Sequence, residues 1–348
     1  MQEKQQNDKG VVMEAAGRHN ALTDVEGLMV GNYTDTDAVC GVTVVICLKG
    51  AVTAADVRGS APGTRETDLL DPINLVQEAQ AVVLSGGSVY GLAASDGVVR
   101  WLAEQGSGFP LEKGYVAPIV PAAVLYDLGR GKEFVPPVCA DWGREACKTA
   151  SDGPIPGGCF GAGTGAISGG IKGGLGNASL VTESGITIAA IVAVNSLGSV
   201  INPLTGQAWE IALELDGEFG PMGARPVELP RPGESAPVRN TTIGVVATDA
   251  KLTKSQAKKI AQMAHDGMAR AIRPSHTLFD GDTVFCMATG KRKLPETPGF
   301  FINPHAQALN DLGHAAANCM SRAIIRGILN ARTLAGITAI RDLNDMKA

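Results

Sequence analysis

Glycine crowds one stretch of this chain: Gly157-Gly158, Gly161, Gly163, Gly165, Gly169-Gly170 and Gly173-Gly174 follow one another with little between them. The whole sequence holds 44 glycines in 348 residues, while 45% of residues are hydrophobic and only 4% aromatic. Glycine at that density lets backbone pack directly on backbone or take positive φ. In a chain this apolar, the pattern predicts tightly stacked sheets with short connections and not a flexible linker.

The elements follow from periodicity. Val42–Leu48 and Ala51–Val57 flank Lys49-Gly50 and read as a hairpin. Asp71–Ala79 reads as a short helix, with Pro72 in its first turn. Ala81–Leu84 is a buried strand, and Ser85-Gly86-Gly87-Ser88 turns into an amphipathic helix over Val89–Glu104. Residues 107–160 give few clear elements. Ile186–Val194 is a continuous apolar, β-branched run and so a central strand. Residues 216–240 carry five prolines and four glycines with almost no apolar periodicity, which predicts an exposed loop. Strand character returns at Thr242–Thr248, followed by helices over Ser255–Ile272 and Ala306–Ala331 with the strand Thr283–Ala288 between them. Strands and helices in mixed order make the class α/β or α+β. About the first 12 residues read as a disordered tail.

Composition excludes several functions. A net charge of -5 argues against nucleic acid or an anionic membrane surface as partner. No apolar run nears the ~20 residues that span a bilayer, and the N-terminus MQEKQQNDKG is polar where a signal peptide is apolar. Seven cysteines without a CxxC pair fit reduced thiols, so the chain is expected in the cytoplasm. The five histidines have no HExxH and no ligand spacing with cysteine, so neither metal nor cofactor is expected. Residues 81–104 lack the lysine and spacing of a nucleotide loop, and Tyr90 breaks a GxSxG elbow.

The junction Asn240-Thr241 is where chemistry is expected. A proline-rich loop ends there and a buried strand begins. A Thr241 hydroxyl attacking the Asn240 carbonyl would exchange amide for ester, and water would then free a new N-terminus. The released α-amine, with an ordinary pKa near ~7.7–8.0, suits a general base for its own hydroxyl. Asp280 and Asp282, two residues apart, share a face of an extended segment; they form either an acid–base pair or a turn entering a strand. Asn195, ending a buried strand, is either an amide donor for an oxyanion or a turn asparagine. Lys172 is either a cation facing the site or an exposed loop lysine.

The stretch Asn240-Thr241-Thr242-Ile243-Gly244-Val245-Val246-Ala247-Thr248-Asp249 resembles the processing site of the self-cleaving D-aminopeptidase/β-aminopeptidase family, relatives of ornithine acetyltransferase. Further motifs fall in that family's order: Ser85–Leu92 with Ala94–Gly97, Gly158–Gly165, Lys172–Gly176, Val194-Asn195 and Asp280-Gly281-Asp282. The resemblance implies a four-layer αββα sandwich as one domain, cut into 1–240 and 241–348, and a homotetramer or larger assembly. It also implies that Tyr126 contributes to the oxyanion hole, the alternative being a packing tyrosine. The aminopeptidases carry a serine nucleophile and a Ser-x-Glu pair; Thr241 with Asp-Gly-Asp is instead similar to the 6-aminohexanoate-oligomer endohydrolases. The expected function is therefore an autoprocessed threonine amidase acting on linear amides, with a peptide aminopeptidase as the alternative and a non-catalytic binding protein as the remote one.

Overall fold

The computed structural model describes residues 15–230, 240–297 and 302–345. The expected N-terminal tail and residues 231–239 of the expected loop lie outside these. Among the described residues, the main ladder contains β1 (Met29–Asp35), β2 (Cys40–Val57), β3 (Gly63–Arg65), β4 (Glu78–Ser85), β5 (Ala122–Val124), β6 (Gly174–Val181), β7 (Thr187–Val194), β8 (Ile243–Ala250) and β9 (Thr283–Arg292). The helices are α1 (Ala94–Glu104), α2 (Ala140–Lys148), α3 (Lys254–Ala271), α4 (Ala306–Leu329) and α5 (Ile340–Asp345).

The strand order is β6-β7-β8-β9-β2-β4-β5-β3, with β1 on β2. β8 and β9 run parallel; β8 is antiparallel to β7 and β9 to β2. The long β2 joins two layers: Cys40–Ile46 pairs with β1, and Val52–Val57 pairs with β9. Side chains alternate between cores. Ile243, Val245 and Ala247 of β8 meet Val45, Val82 and Leu84 in a middle core, so the two sheet layers face each other. Val246 and Ala250 point the other way, onto Ile260 and Ala264 of α3 and Met320 and Ile324 of α4. Val42, Val44 and Val83 face Val98 of α1 and Trp142 of α2 in a third core. Helices, sheet, sheet and helices make the expected four-layer αββα sandwich. Both faces of each sheet are buried, which is why the strands read as unbroken apolar runs.

Outside the glycine-rich stretch, glycine also lets backbone touch backbone where α1 crosses α2. A Cβ on Gly97 would sit 1.7 Å from the Ala140 carbonyl oxygen, and one on Gly143 would sit 2.0 Å from that of Ala94. Only hydrogen fits at either position.

Three expectations fail. Val42–Leu48 and Ala51–Val57 do not pair; they are consecutive parts of β2. Ile46 faces Ala81 and Ala51 faces Ala79, so the residues between them, including Gly50 at φ +80°, form a bulge that bends the strand between layers. Residues 71–77 are not helical: Ile73 and Leu75 are solvent-exposed, which leaves the segment no face to bury. The 216–230 part of the expected exposed loop has no strand or helix yet is pinned to the body. Phe219 and Val227 are buried, and Glu218 bonds Arg322 of α4 at 2.5 Å.

Candidate active site

Thr241 lies just ahead of β8 and is 5% exposed. Its N–H donates to the Asn195 main-chain oxygen at 2.6 Å, which ties the end of β7 to the start of β8. Its hydroxyl donates to the Asn240 carbonyl oxygen at 2.5 Å and accepts the Gly281 N–H at 3.2 Å. Asn240 is bridged in parallel to Asp280, so the Asn-Thr junction and the Asp-Gly-Asp segment lie side by side. A side chain on Gly281 would come within 2.9 Å of the Thr241 hydroxyl. That glycine is required by closeness.

The two carboxylates are held differently. Asp282 Oδ1 accepts the Thr242 N–H at 2.8 Å; Oδ2 accepts the His276 N–H at 3.1 Å and bonds His276 Nδ1 at 2.8 Å. Asp280 Oδ2 accepts the Thr277 N–H at 2.9 Å and its hydroxyl at 2.6 Å. Among the described residues, Asp280 Oδ1 is buried with no hydrogen-bond partner, although the Leu197 N–H is the last of the groups that pull the carboxyl down. Burial first, and then the charge of Asp282, push the Asp280 carboxyl above the ordinary range.

The other expected residues gather behind Asn195. The Asn195 side-chain oxygen accepts the Ile167 N–H at 2.9 Å and Arg130 at 3.0 Å, while its NH₂ donates to the Tyr126 carbonyl at 3.2 Å. With the chain uncut, Asn195 therefore meets Thr241 through its main chain. Lys172 is no loop lysine: it is fully buried, and its ammonium donates to the carbonyls of Gly163, Ala166 and Gly173 at 3.1, 2.9 and 2.8 Å. Burial draws its pKa down to about 8. Tyr126 is half-buried, and its carbonyl accepts from the Asn195 side chain.

Sequence reasoning missed Arg130, His276 and Thr277. Arg130, drawn down to about 10 by burial, bonds the Gly165 carbonyl as well as Asn195. His276 and Thr277 precede the Asp-Gly-Asp motif directly, and their histidine and threonine donors were the available signal. Among the described residues no cluster of three or more His, Cys, Asp or Glu is placed to hold a metal ion. Nor is any helix there long and apolar enough to cross a membrane.

A hydroxyl at a strand start, a carbonyl carbon beside it and two adjoining carboxyls can support acyl transfer. The sequence profile of peptidase family S58 matches residues 20–341. The chain belongs to that family. An uncharacterized aminopeptidase of Mycobacterium tuberculosis is 46% identical over 342 residues, covering 93% of this chain and 98% of its own length. A 6-aminohexanoate-oligomer endohydrolase of a Kocuria species is 29% identical over 329 residues, covering 90% and 88%. Among solved structures, a Burkholderia β-aminopeptidase superposes with TM-score 0.69 at 22% identity, over 97% of this chain and 95% of its own. The L-aminopeptidase D-Ala-esterase/amidase of Ochrobactrum anthropi, described as a variant of the Ntn hydrolase fold, gives 0.68 at 21%, over 92% and 88%. This S58 member is accordingly a hydrolase of amide bonds with an Ntn-type fold.

Proposed function

We propose that the chain cuts itself between Asn240 and Thr241 and then works as an N-terminal-threonine hydrolase of linear amides such as 6-aminohexanoate oligomers. The observation that carries this reading is the Thr241 hydroxyl, set between the Asn240 carbonyl and the Gly281 N–H beside Asp280 and Asp282. In processing, Thr241 Oγ bonds the Asn240 carbonyl carbon, the C–N bond breaks, and the nitrogen takes a proton. Water then hydrolyses the ester to an Asn240 carboxylate and the Thr241 hydroxyl, leaving Thr241 as a new N-terminus with its amine already free. In turnover that amine accepts the hydroxyl proton as Oγ attacks the substrate carbonyl. The proton passes to the leaving amine, and water releases the acyl group. Asp280 Oδ1, the unpartnered oxygen, is the acceptor open to the new ammonium; Asp282 fixes the strand start. Arg130 and Tyr126 are tied to the nucleophile's neighbour Asn195, and Lys172 braces the glycine-rich stretch 163–173. A homo-oligomer, tetrameric or larger, and a cytoplasmic setting belong to the same proposal.

A second reading, strict aminopeptidase action, is favoured by the name of the 46% relative. Against it stands that, once Asp280 and Asp282 are assigned, the carboxylate left near Arg130 is Asp127, which is 1% exposed with its Oδ1 on the Gly87 N–H. Intact mass should give fragments of 240 and 108 residues, and Thr241→Ala should stay whole; a cut T241A chain overturns the nucleophile. Oligomers of 6-aminohexanoate blocked at the amine should be hydrolysed alongside unblocked ones. Hydrolysis confined to free-amine substrates would establish the aminopeptidase reading instead.

A further inference from the structure

Two consecutive residues hold the two site carboxylates in the same manner. Thr277 gives Asp280 Oδ2 both its main-chain N–H and its hydroxyl. His276 gives Asp282 Oδ2 both its main-chain N–H and ring Nδ1, at 3.1 and 2.8 Å. The second clamp depends on an unusual backbone, for His276 sits at φ 54°, a region that histidine and asparagine enter more readily than most side chains. Its ring is steadied from outside the site. His265 of α3 meets it edge-on with centroids 4.9 Å apart, and His265 Nε2 is itself anchored to the Asp56 carbonyl at 3.0 Å. Among the described residues, His276 Nε2 is buried without a hydrogen-bond partner, and the ring's hydrogen bond goes to Asp282.

We propose that His276 is the positioning residue for Asp282. With Oδ2 clamped, Oδ1 is left to the Thr242 N–H at 2.8 Å, and Thr242 adjoins the nucleophile. The histidine thus fixes the register of Thr241 against Gly281 through one carboxylate, without touching the reacting atoms. The role is geometric: a hydrogen bond between Nδ1 and Asp282 Oδ2 is all that it requires. This inference rests on Thr241 being the nucleophile.

The test measures kcat and KM on a 6-aminohexanoate oligomer and the cleaved fraction by mass, in the full-length chain. H276A should lower kcat by about 10–100-fold, the scale of a small misplacement of a reacting group, with KM within about threefold. H276N tolerates the left-handed backbone and presents an amide N–H near the place of Nδ1; it should return to within about fivefold of wild type. In a D282N background, adding H276A should cost less than about twofold, because residues acting through one another are not additive. H276A within twofold of wild type, H276N as slow as H276A, or full additivity on D282N each overturns the clamp. If H276A does not fold, H276N decides: activity near wild type supports the clamp, and a loss beyond tenfold ends it. A wild-type chain that never cuts at Asn240-Thr241 fails the nucleophile reading as well, whereas a cut and active wild type with indifferent H276A fails the clamp alone.

Discussion

Lys172 and Asp280 are both ionisable groups sealed inside the sandwich, at 0% and 1% exposure, and the chain treats them in opposite ways. Lys172 directs its ammonium at three main-chain carbonyls, all from the glycine-rich stretch 163–173. Asp280 has one oxygen that accepts two hydrogen bonds from Thr277 and another left without a partner among the described residues. Burial discourages charge in both, lowering one pKa and raising the other. A buried charge whose bonding capacity is filled by backbone holds structure together. One with a vacant lone pair is available to something that arrives later, whether a freed amine or a substrate.

The largest effect expected from that contrast is on rate. D280N should lower amide turnover by about 10²–10⁴-fold, the range of a positioned acid–base group, and D282N by about 10²-fold, the scale of a misplaced reacting group. Near-wild-type turnover in both would reduce the Asp-Gly-Asp segment to a turn. Lys172→Met should instead act on stability, stranding buried carbonyls that each cost about 1–3 kcal/mol. A urea midpoint well below wild type checks this. A stable K172M chain with turnover down a hundredfold would place Lys172 on the substrate and dissolve the contrast. The smallest effect is His265, whose pKa burial lowers to about 4 from 6.5. The unfolded chain takes up that proton first, so stability should be lost as pH falls from about 6.5 towards 4. The slope is at most roughly 1.4 kcal/mol per pH unit. Denaturation of uncut T241A at pH 7 and 5, beside the same chain with H265F, measures it; equal slopes would discard the attribution.

What the sequence revealed divides along similar lines. Strands buried on both faces, such as Thr187–Val194 and Ile243–Ala250, are legible because burial itself writes an apolar run. β6 went unread because its opening, Gly174-Leu175-Gly176-Asn177, has glycine where α4 presses closest: a Cβ on Gly176 would lie 1.9 Å from the Ala323 carbonyl oxygen. Lys49-Gly50 has turn chemistry, but the choice between hairpin and bulge belongs to β4 and β9, which are distant in sequence. The short α2 hid in a proline- and glycine-rich region because its pairing with α1 depends on close approach at Gly97 and Gly143. At the site, Thr241 and the aspartates stood out through motif and resemblance. Arg130 did not, since its partners Gly165 and Asn195 come from other parts of the chain.

The strand order has a consequence for how such a molecule can be made. β8 and β9, which follow Thr241, are inserted between β7 and β2, which precede it. The stretch before the junction, taken alone, would present two raw strand edges around a missing centre, and the stretch after it a two-stranded ribbon with both sides bare. Such edges recruit whatever strand is nearest, so separately synthesised halves should clump sooner than they find each other. If the proposed cut at Asn240-Thr241 takes place, assembly has to come before scission, and the two pieces would stay woven together with no seam along which to part.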